Sequence, residues 1–232
     1  MNISEPVSPL TLLQQDVNLW NHWREQNLDE KPSLRKLDLH GCHLIRANFN
    51  GLDLTGVDLS DADLSGASFI GANLRRSDLS GAKMIGCSLV GVKLIGADLS
   101  YANLIAAKLI SAQLVGADLS NANLSNANLR KADLLGAELR DTQCHQTDFT
   151  EADLTRACLG NADLTEANFS RANLSRATLN GTRLNGVDLR AATLTETALS
   201  HAYLVGAIID QQVLKTTRLS PSLLRGVVMQ EA

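Results

Sequence analysis

The sequence predicts an all-β solenoid: a quadrilateral parallel β-helix of about nine coils, preceded by an α-helical cap. Every fifth residue from Leu34 to Ile209 is apolar without a break in register, and Cys144 is the weakest member of this series. A small residue, most often alanine, stands two positions before these centres. The phenylalanines recur at multiples of twenty residues. Self-similarity at a fixed short period is typical of repeat architectures, so the period determines the fold class.

The five-residue period indicates one side of a coil. Successive side chains of an extended segment point to opposite faces, so the apolar centre and the small residue two positions earlier point the same way, into the interior. The residues on either side of the centre then face water. The fifth residue turns the corner. Glycine is common there, as at Gly66 and Gly86, because a corner favours a positive φ.

The number of sides follows from the phenylalanines. The sequence has four, at intervals of 20, 80 and 20 residues: Phe49, Phe69, Phe149 and Phe169. They share one phase of a 20-residue period, which predicts four five-residue sides per coil. Parallel strands lie roughly 4.8 Å apart, so about nine stacked coils make a rod roughly 43 Å long. The sides are numbered 1 to 4 in chain order, and side 1 begins at Leu34.

The repeat units carry the pattern A(D/N)LXX, as at residues 62–66 (ADLSG) and 122–126 (ANLSN). In this pattern the chain resembles the pentapeptide-repeat proteins over about three quarters of its length. The resemblance implies a right-handed quadrilateral β-helix. It also implies a function found in some members, which mimic DNA and protect or inhibit type II topoisomerases such as gyrase. The segment from Leu19 to Asn27 is similar to a leader that precedes the repeats in cyanobacterial members.

The repeats define the organisation of the chain. Residues 1–7 are predicted to be a flexible tail, 8–27 an N-terminal capping helix, 33–210 the β-helix and 211–232 a C-terminal cap. Ser8 followed by Pro9 is typical of a helix start, and apolar residues at three- and four-residue spacing follow. An open solenoid ends in unpaired backbone groups, so both ends are expected to be covered.

Composition and motifs argue against catalysis. The net charge is −4, the histidines are scattered, and the glycines recur as corners rather than as a phosphate-binding loop. The cysteines lack metal-type spacing, and Cys42, Cys87 and Cys144 fall on inward positions, where cysteine acts as a small apolar residue. We expect no enzyme activity, cofactor or metal site. Without a secretory leader or a membrane-spanning run, we expect a cytoplasmic protein that neither inserts into a membrane nor binds nucleic acid directly.

An acidic ridge follows side 2. The outward residue before the centre is acidic in six successive coils, and the ridge comprises Asp38, Asp58, Asp78, Asp98, Asp118 and Glu138. Aspartate also suits this position for a structural reason, because its short carboxylate accepts hydrogen bonds from nearby backbone N–H groups in turns. A structural role and an acidic recognition surface are both open.

An apolar belt surrounds the middle coils on the other three sides. It occupies the outward position after the centre and comprises Ile85, Val90, Ile95, Ile105, Ile110 and Val115, with Ile70 and Leu135 at its ends. Lys83, Lys93 and Lys108 lie within it. β-Branched residues stacked between parallel neighbours stabilise a sheet by themselves, whereas contiguous exposed apolar patches mark interfaces. Ladder packing and a docking surface are both open.

These patterns favour a non-enzymatic scaffold that binds an unidentified protein partner through the flat sides of the β-helix, with the apolar belt as the first candidate surface. A DNA-mimic regulator of DNA gyrase or topoisomerase, acting through the acidic ridge, is the alternative that the resemblance suggests. A cation-binding surface on the ridge is a third hypothesis. A homodimer through the C-terminal cap or the apolar belt is a further candidate assembly.

Overall fold

The chain forms a four-sided parallel β-helix, as the sequence predicts. The structure, a computed structural model, describes residues 8–217 and 224–230. Along the β-helix each five-residue unit is a short extended segment followed by a turn. The outward residues before successive centres form parallel bridges with residues twenty positions later, from Asp38 with Asp58 to Asp188 with Ile208. This register confirms four sides per coil and stacks the outward side chains of adjacent coils in columns.

Leucine, phenylalanine and alanine fill the interior. The apolar centres from Leu34 to Ile209 are buried, Cys144 included. The rings of Phe149 and Phe169 stack with their centroids 4.7 Å apart and 5° between their planes. Offset aromatic stacking adds to the free energy gained by burial, so the phenylalanines that reveal the period also reinforce it.

Every fifth residue from Lys36 to Gly206 turns a corner in the left-handed region, with φ between 53° and 75°. The structure therefore confirms the reason for the recurrent glycines. The left-handed conformation is not limited to glycine, because twenty-one other residues adopt it, and Tyr101 and Ala106 are among them. A left-handed residue with a Cβ costs about 1–2 kcal/mol. The hydrogen-bonded coils on either side hold these residues in place.

The N-terminal segment forms two helices where the sequence predicts one. Helix α1 spans Pro9–Gln15 and helix α2 spans Val17–Gln26. Asp16 separates them in an extended conformation (φ −159°, ψ 125°), and its carboxylate accepts a hydrogen bond from the backbone N–H of Asn18 at 2.7 Å. The prediction of a single helix over 8–27 was wrong at this residue because Asp16 caps α2 instead of continuing α1.

Helix α2 covers the first coil by supplying hydrogen bonds that a preceding coil would supply. The indole Nε1 of Trp20 donates to the carbonyl oxygen of Asn48 at 3.0 Å, and the backbone N–H of Asn48 donates to Oδ1 of Asn21 at 2.8 Å. Arg24 is buried, and its Nη2 donates to the carbonyl oxygen of Asn50 at 2.8 Å. The helix therefore satisfies the exposed backbone edge of the first coil at side 4.

The C-terminal end departs from the repeat and then returns to it. Strand β1 (Ile208–Ile209) ends the regular coils, helix α3 (Gln211–Thr216) follows, and strand β2 (Val228–Met229) pairs in parallel with β1. Ile208 is paired with Val228, so the register of twenty is kept across α3. The predicted tail at 1–7 and two parts of the predicted C-terminal cap, 218–223 and 231–232, lie outside the described residues.

Asp210 joins α3 to the β-helix. Its Oδ1 accepts a hydrogen bond from the backbone N–H of Val213 at 2.9 Å and so caps the helix, while its Oδ2 accepts one from the backbone N–H of Ala191 at 2.6 Å. The side chain is buried. In residues 8–217 and 224–230, no helix has both the length and the apolar character needed to cross a membrane.

Candidate functional site

The acidic ridge is built into the turns of side 2. Oδ1 of Asp58 and of Asp78 accepts two hydrogen bonds from the serine two positions later, from the backbone N–H (3.0 and 2.9 Å) and from the hydroxyl (2.5 and 2.6 Å). Asp98 and Asp118 accept the backbone bond at 2.8 Å each. The same bonding occurs on other sides, for example at Asp153. The aspartates of the ridge thus stabilise their own turns, which supports the structural interpretation.

The ridge is also a column of negative charge. The hydroxyl and backbone N–H of Ser60 hold the pKa of Asp58 below its ordinary value, so this carboxylate is ionised near neutral pH. Among the ridge residues, all of which lie in the described part of the chain, Glu138 forms an ion pair, with Nε of Arg140 at 3.0 Å. Cys158 and Thr178 continue the column beyond Glu138, so the charge covers the N-terminal two thirds of the rod.

The apolar belt is both packed and accessible. The register of twenty stacks its six residues in three columns, one per side: Ile85 with Ile105, Val90 with Ile110, and Ile95 with Val115. Ile85 is 42% exposed, whereas the other five are half-buried, because neighbours in the column cover part of each side chain. Ile70 and Leu135 at the ends of the belt are exposed. Ladder packing therefore accounts for part of each side chain and leaves an apolar surface.

The corner residues between the belt side chains of adjacent sides are small. Gly86 and Ala106 separate side 3 from side 4, and Gly91 and Ser111 separate side 4 from side 1. A Cβ added at Gly86 or Gly91 would meet no atom within 4 Å, so the space beside these corners is open. The corresponding corners between sides 4 and 1 in later coils carry large charged side chains: Lys131, Glu151 and Arg171. Sides 3, 4 and 1 therefore present apolar side chains beside small corner residues in the middle coils. The next outward residues after these corners are polar or charged: Ser88, Lys93, Lys108 and Gln113.

The thiols offer no nucleophile near neutral pH. Burial raises the pKa of Cys87 and of Cys144 to about 12, so both remain protonated. Cys42 is half-buried, and burial together with the charge of Asp38 raises its pKa as well. Across the two described stretches, no group of three or more histidine, cysteine or acidic residues is placed to hold a metal ion. The arrangement suits contact with a partner rather than covalent chemistry.

Sequence reasoning missed a cleft of about 270 Å³ between the helices and the first coil. The break between the helices at Asp16 lies beside it, and no periodic signal in the sequence marks that break. Its lining residues include Leu13, Asp16, Val17, Leu39, Cys42 and His43.

Sequence reasoning also missed the ion pairs that run along the columns. Nζ of Lys131 lies 3.6 Å from Oε2 of Glu151, and Nη1 of Arg183 lies 3.2 Å from Oδ2 of Asp163. In each pair the two residues are twenty positions apart. The predicted coil length would have identified these pairs, because outward residues at that separation are neighbours in adjacent coils.

The family model described as pentapeptide repeats matches residues 31–61, 58–94, 87–126, 117–156, 136–171, 147–186 and 172–211. These matches span nearly the whole β-helix. Among curated proteins, none matches the sequence.

Solved structures of similar fold are themselves pentapeptide-repeat β-helices, and these are right-handed. Full-length QnrB1, a plasmid-mediated fluoroquinolone resistance protein, is 19% identical with a TM-score of 0.51, over 79% of this chain and 91% of QnrB1. HetL, involved in heterocyst differentiation regulation in the cyanobacterium Nostoc sp. strain PCC 7120, is 26% identical with a TM-score of 0.44, over 81% of this chain and 93% of HetL. Rfr23 from the cyanobacterium Cyanothece 51142 is 26% identical with a TM-score of 0.38, over 64% of this chain and 91% of Rfr23. The likeness to QnrB1 shows the fold alone.

Proposed function

The chain belongs to the pentapeptide-repeat family, and from that premise we propose that it is a non-enzymatic scaffold that binds a protein partner through the apolar belt. The observation that carries the proposal is the group of partly exposed β-branched side chains on sides 3, 4 and 1, which precede small and open corners. Exposed apolar side chains grouped on one part of a surface are typical of protein interfaces.

The filled interior supports a role at the surface. Catalysis needs convergent groups in a pocket, commonly with pKa values matched to the reaction. Here the centres pack against one another, and the pKa values of Cys87 and Cys144 are raised far above neutral. The outward groups are spread along flat columns, which favours recognition of an extended partner surface. The expected cytoplasmic location stays a prediction.

The first experiment compares the wild-type protein with the double variant Ile95→Lys, Ile105→Lys as baits in lysate of the source cell. The matched control is Asn185→Lys, Thr195→Lys, which places lysines in the same position of the unit on the same two sides, outside the belt. We expect a partner that the wild type and the control retain and the belt variant loses. Equal recovery by all three baits contradicts the belt assignment, provided that circular dichroism shows all three folded.

The acidic ridge supports a second candidate. Its carboxylates stand one coil apart in a single column, and duplex DNA is likewise a line of regular negative charge. A DNA-mimic regulator of gyrase or topoisomerase would therefore act through side 2. A supercoiling assay with excess protein tests it, and unchanged gyrase activity contradicts it. Thermal unfolding with added calcium or magnesium tests the cation-binding alternative, and an unchanged melting temperature contradicts it. Sedimentation measures the mass of the particle in solution and so tests the homodimer.

A further inference from the structure

We propose that the partner of the apolar belt is an extended polypeptide segment that carries both carboxylates and aliphatic side chains, and that it lies across the corner between sides 4 and 1. This inference rests on the scaffold function proposed above and adds the chemistry of the partner.

The first argument is that two lysines of the belt have no compensating charge. Some outward cations of the β-helix are neutralised along their columns, as Arg183 is by Asp163 and Arg176 is by Glu196, whose Oε2 lies 2.8 Å from the guanidinium. The column neighbours of the two lysines are instead neutral: Asn73 and Gln113 for Lys93, Ser88 and Asn128 for Lys108. Both lysines are exposed, and neither forms an ion pair within the described residues.

The second argument is where these charges lie. Lys93 stands two positions before Ile95 on side 1, and Lys108 stands two positions before Ile110 on side 4. Lys93 and Ile95 follow the corner at Gly91, where the space is open, and Lys108 and Ile110 precede the corner at Ser111 in the next coil. Cations at the edge of an apolar surface fit a partner whose carboxylates surround its own apolar side chains, because each lysine then gains a counter-charge without being buried unpaired.

Two further cations limit the site to this corner. Lys83, on side 3, has Asp63 in its column, so its charge is already partly compensated. Arg75, on side 1, has Thr55 and Ile95 at the separation of one coil and forms no ion pair within the described residues. Within the described ranges, Lys93, Lys108 and Arg75 thus place unpaired positive charge on sides 4 and 1, and Arg76 adds an exposed cation without an ion pair at the corner between sides 1 and 2.

The shape of the surface favours a polypeptide over a membrane or a nucleic acid. Sides 4 and 1 meet at a corner, so a flat bilayer would contact one side and leave the other uncovered. The belt is aliphatic and offers no aromatic ring on which a base would stack. An extended segment that lies across this corner meets the belt side chains of both sides.

The test uses the full chain and a displayed library of random dodecapeptides. Peptides selected on the wild-type protein are synthesised with a fluorophore, and their affinities are measured by fluorescence anisotropy. The charge variant is Lys93→Glu, Lys108→Glu. Its control, Lys31→Glu, Lys36→Glu, makes the same change in charge at two exposed lysines outside the belt. The apolar variant is Val90→Ser, Ile95→Ser. Vesicles of phosphatidylserine and phosphatidylcholine are a separate probe.

We expect selected peptides rich in acidic and aliphatic residues. Their affinity should fall about tenfold or more in the charge variant, stay unchanged in the control, and weaken with added salt. Neutral or basic peptides, equal affinity for the charge variant and the control, or an absence of binders would overturn the proposal. So would vesicle binding with the same dependence on the two lysines. If peptide binding is lost in the apolar variant but not in the charge variant, the result supports the scaffold function and contradicts the acidic partner.

Discussion

The ring of Trp20 lies against the ring of Phe49, with centroids 6.1 Å apart, while its indole N–H is bonded to the carbonyl oxygen next to that phenylalanine in the chain. Within the rod the corresponding carbonyl oxygen, that of Ser68, accepts a hydrogen bond from the backbone N–H of Phe49 in the preceding coil, at 2.7 Å. Trp20 therefore combines in one side chain the apolar cover and the hydrogen bond of a preceding coil.

Removing this side chain should uncover the first coil. We expect Trp20→Ala to lower the free energy of unfolding by about 3–5 kcal/mol. Trp20→Phe keeps a ring but leaves the carbonyl oxygen of Asn48 without its donor, and we expect a loss of about 1–2 kcal/mol. Urea unfolding followed by circular dichroism measures both. Because solenoid coils contact mainly their neighbours, amide exchange should quicken first around Phe49. Unchanged exchange there would reject the capping role of α2.

Two adjacent alanines test the corner conformation. Ala106 is exposed and has a φ of 56°, whereas Ala107 is buried and points inward. We expect Ala106→Gly to raise the free energy of unfolding by about 0.5 kcal/mol, because glycine adopts the left-handed region without a Cβ penalty. Ala107→Gly should lower it by about 1–2 kcal/mol through a lost interior methyl group and a more flexible chain. Changes of the same sign in a thermal melt would contradict this account.

The carboxylate of Asp210 should hold α3 on the rod. Replacing it with alanine removes the two hydrogen bonds that its carboxylate accepts from the backbone N–H groups of Val213 and Ala191, and we expect a loss of about 2–3 kcal/mol. Asp210→Asn keeps one acceptor oxygen and should lose about half as much. Asp16→Ala, at the exposed cap of α2, serves as a comparison and should cost about 1 kcal/mol. Amide exchange at Val213 and Ala191 is the readout, and slow exchange in Asp210→Ala would contradict the prediction.

The turn at Asp58 makes stability depend on pH. The hydroxyl of Ser60 lowers the pKa of Asp58 in the folded chain. A depressed folded pKa stabilises the fold above the unfolded pKa of about 3.9, and the contribution is lost as the pH falls through the folded value. Ser60→Ala should therefore destabilise the chain most near neutral pH and less in acid.

Unfolding measured across the acidic range tests this dependence. Ser100→Ala is the control, because Asp98 accepts a hydrogen bond from the backbone N–H of Ser100, which the substitution keeps. We expect its effect to vary little with pH. If the loss of unfolding free energy in Ser60→Ala grew as the pH fell, the stabilising role of this hydrogen bond would be contradicted.

The sequence predicted much of the candidate surface. Columns such as Ile85 with Ile105 follow from the coil length alone, since residues twenty positions apart are neighbours. The exposed fraction of each belt side chain could not be predicted from the coil length, because the side chains above and below it in the column cover part of its surface. The neutral column neighbours of Lys93 could also be predicted from the coil length. That Arg183 is paired with an acid in its column was known only from the structure.

The regular β-helix, its four sides and its filled interior were determined by the sequence alone, because each unit repeats the same local pattern and contacts the next coil in one fixed register. The tertiary structure decided the two ends. The break at Asp16, the insertion of α3 and the return of β2 to register each depend on hydrogen bonds made once, between groups distant in the sequence or at a single cap. A periodic pattern carries no information about contacts that do not repeat.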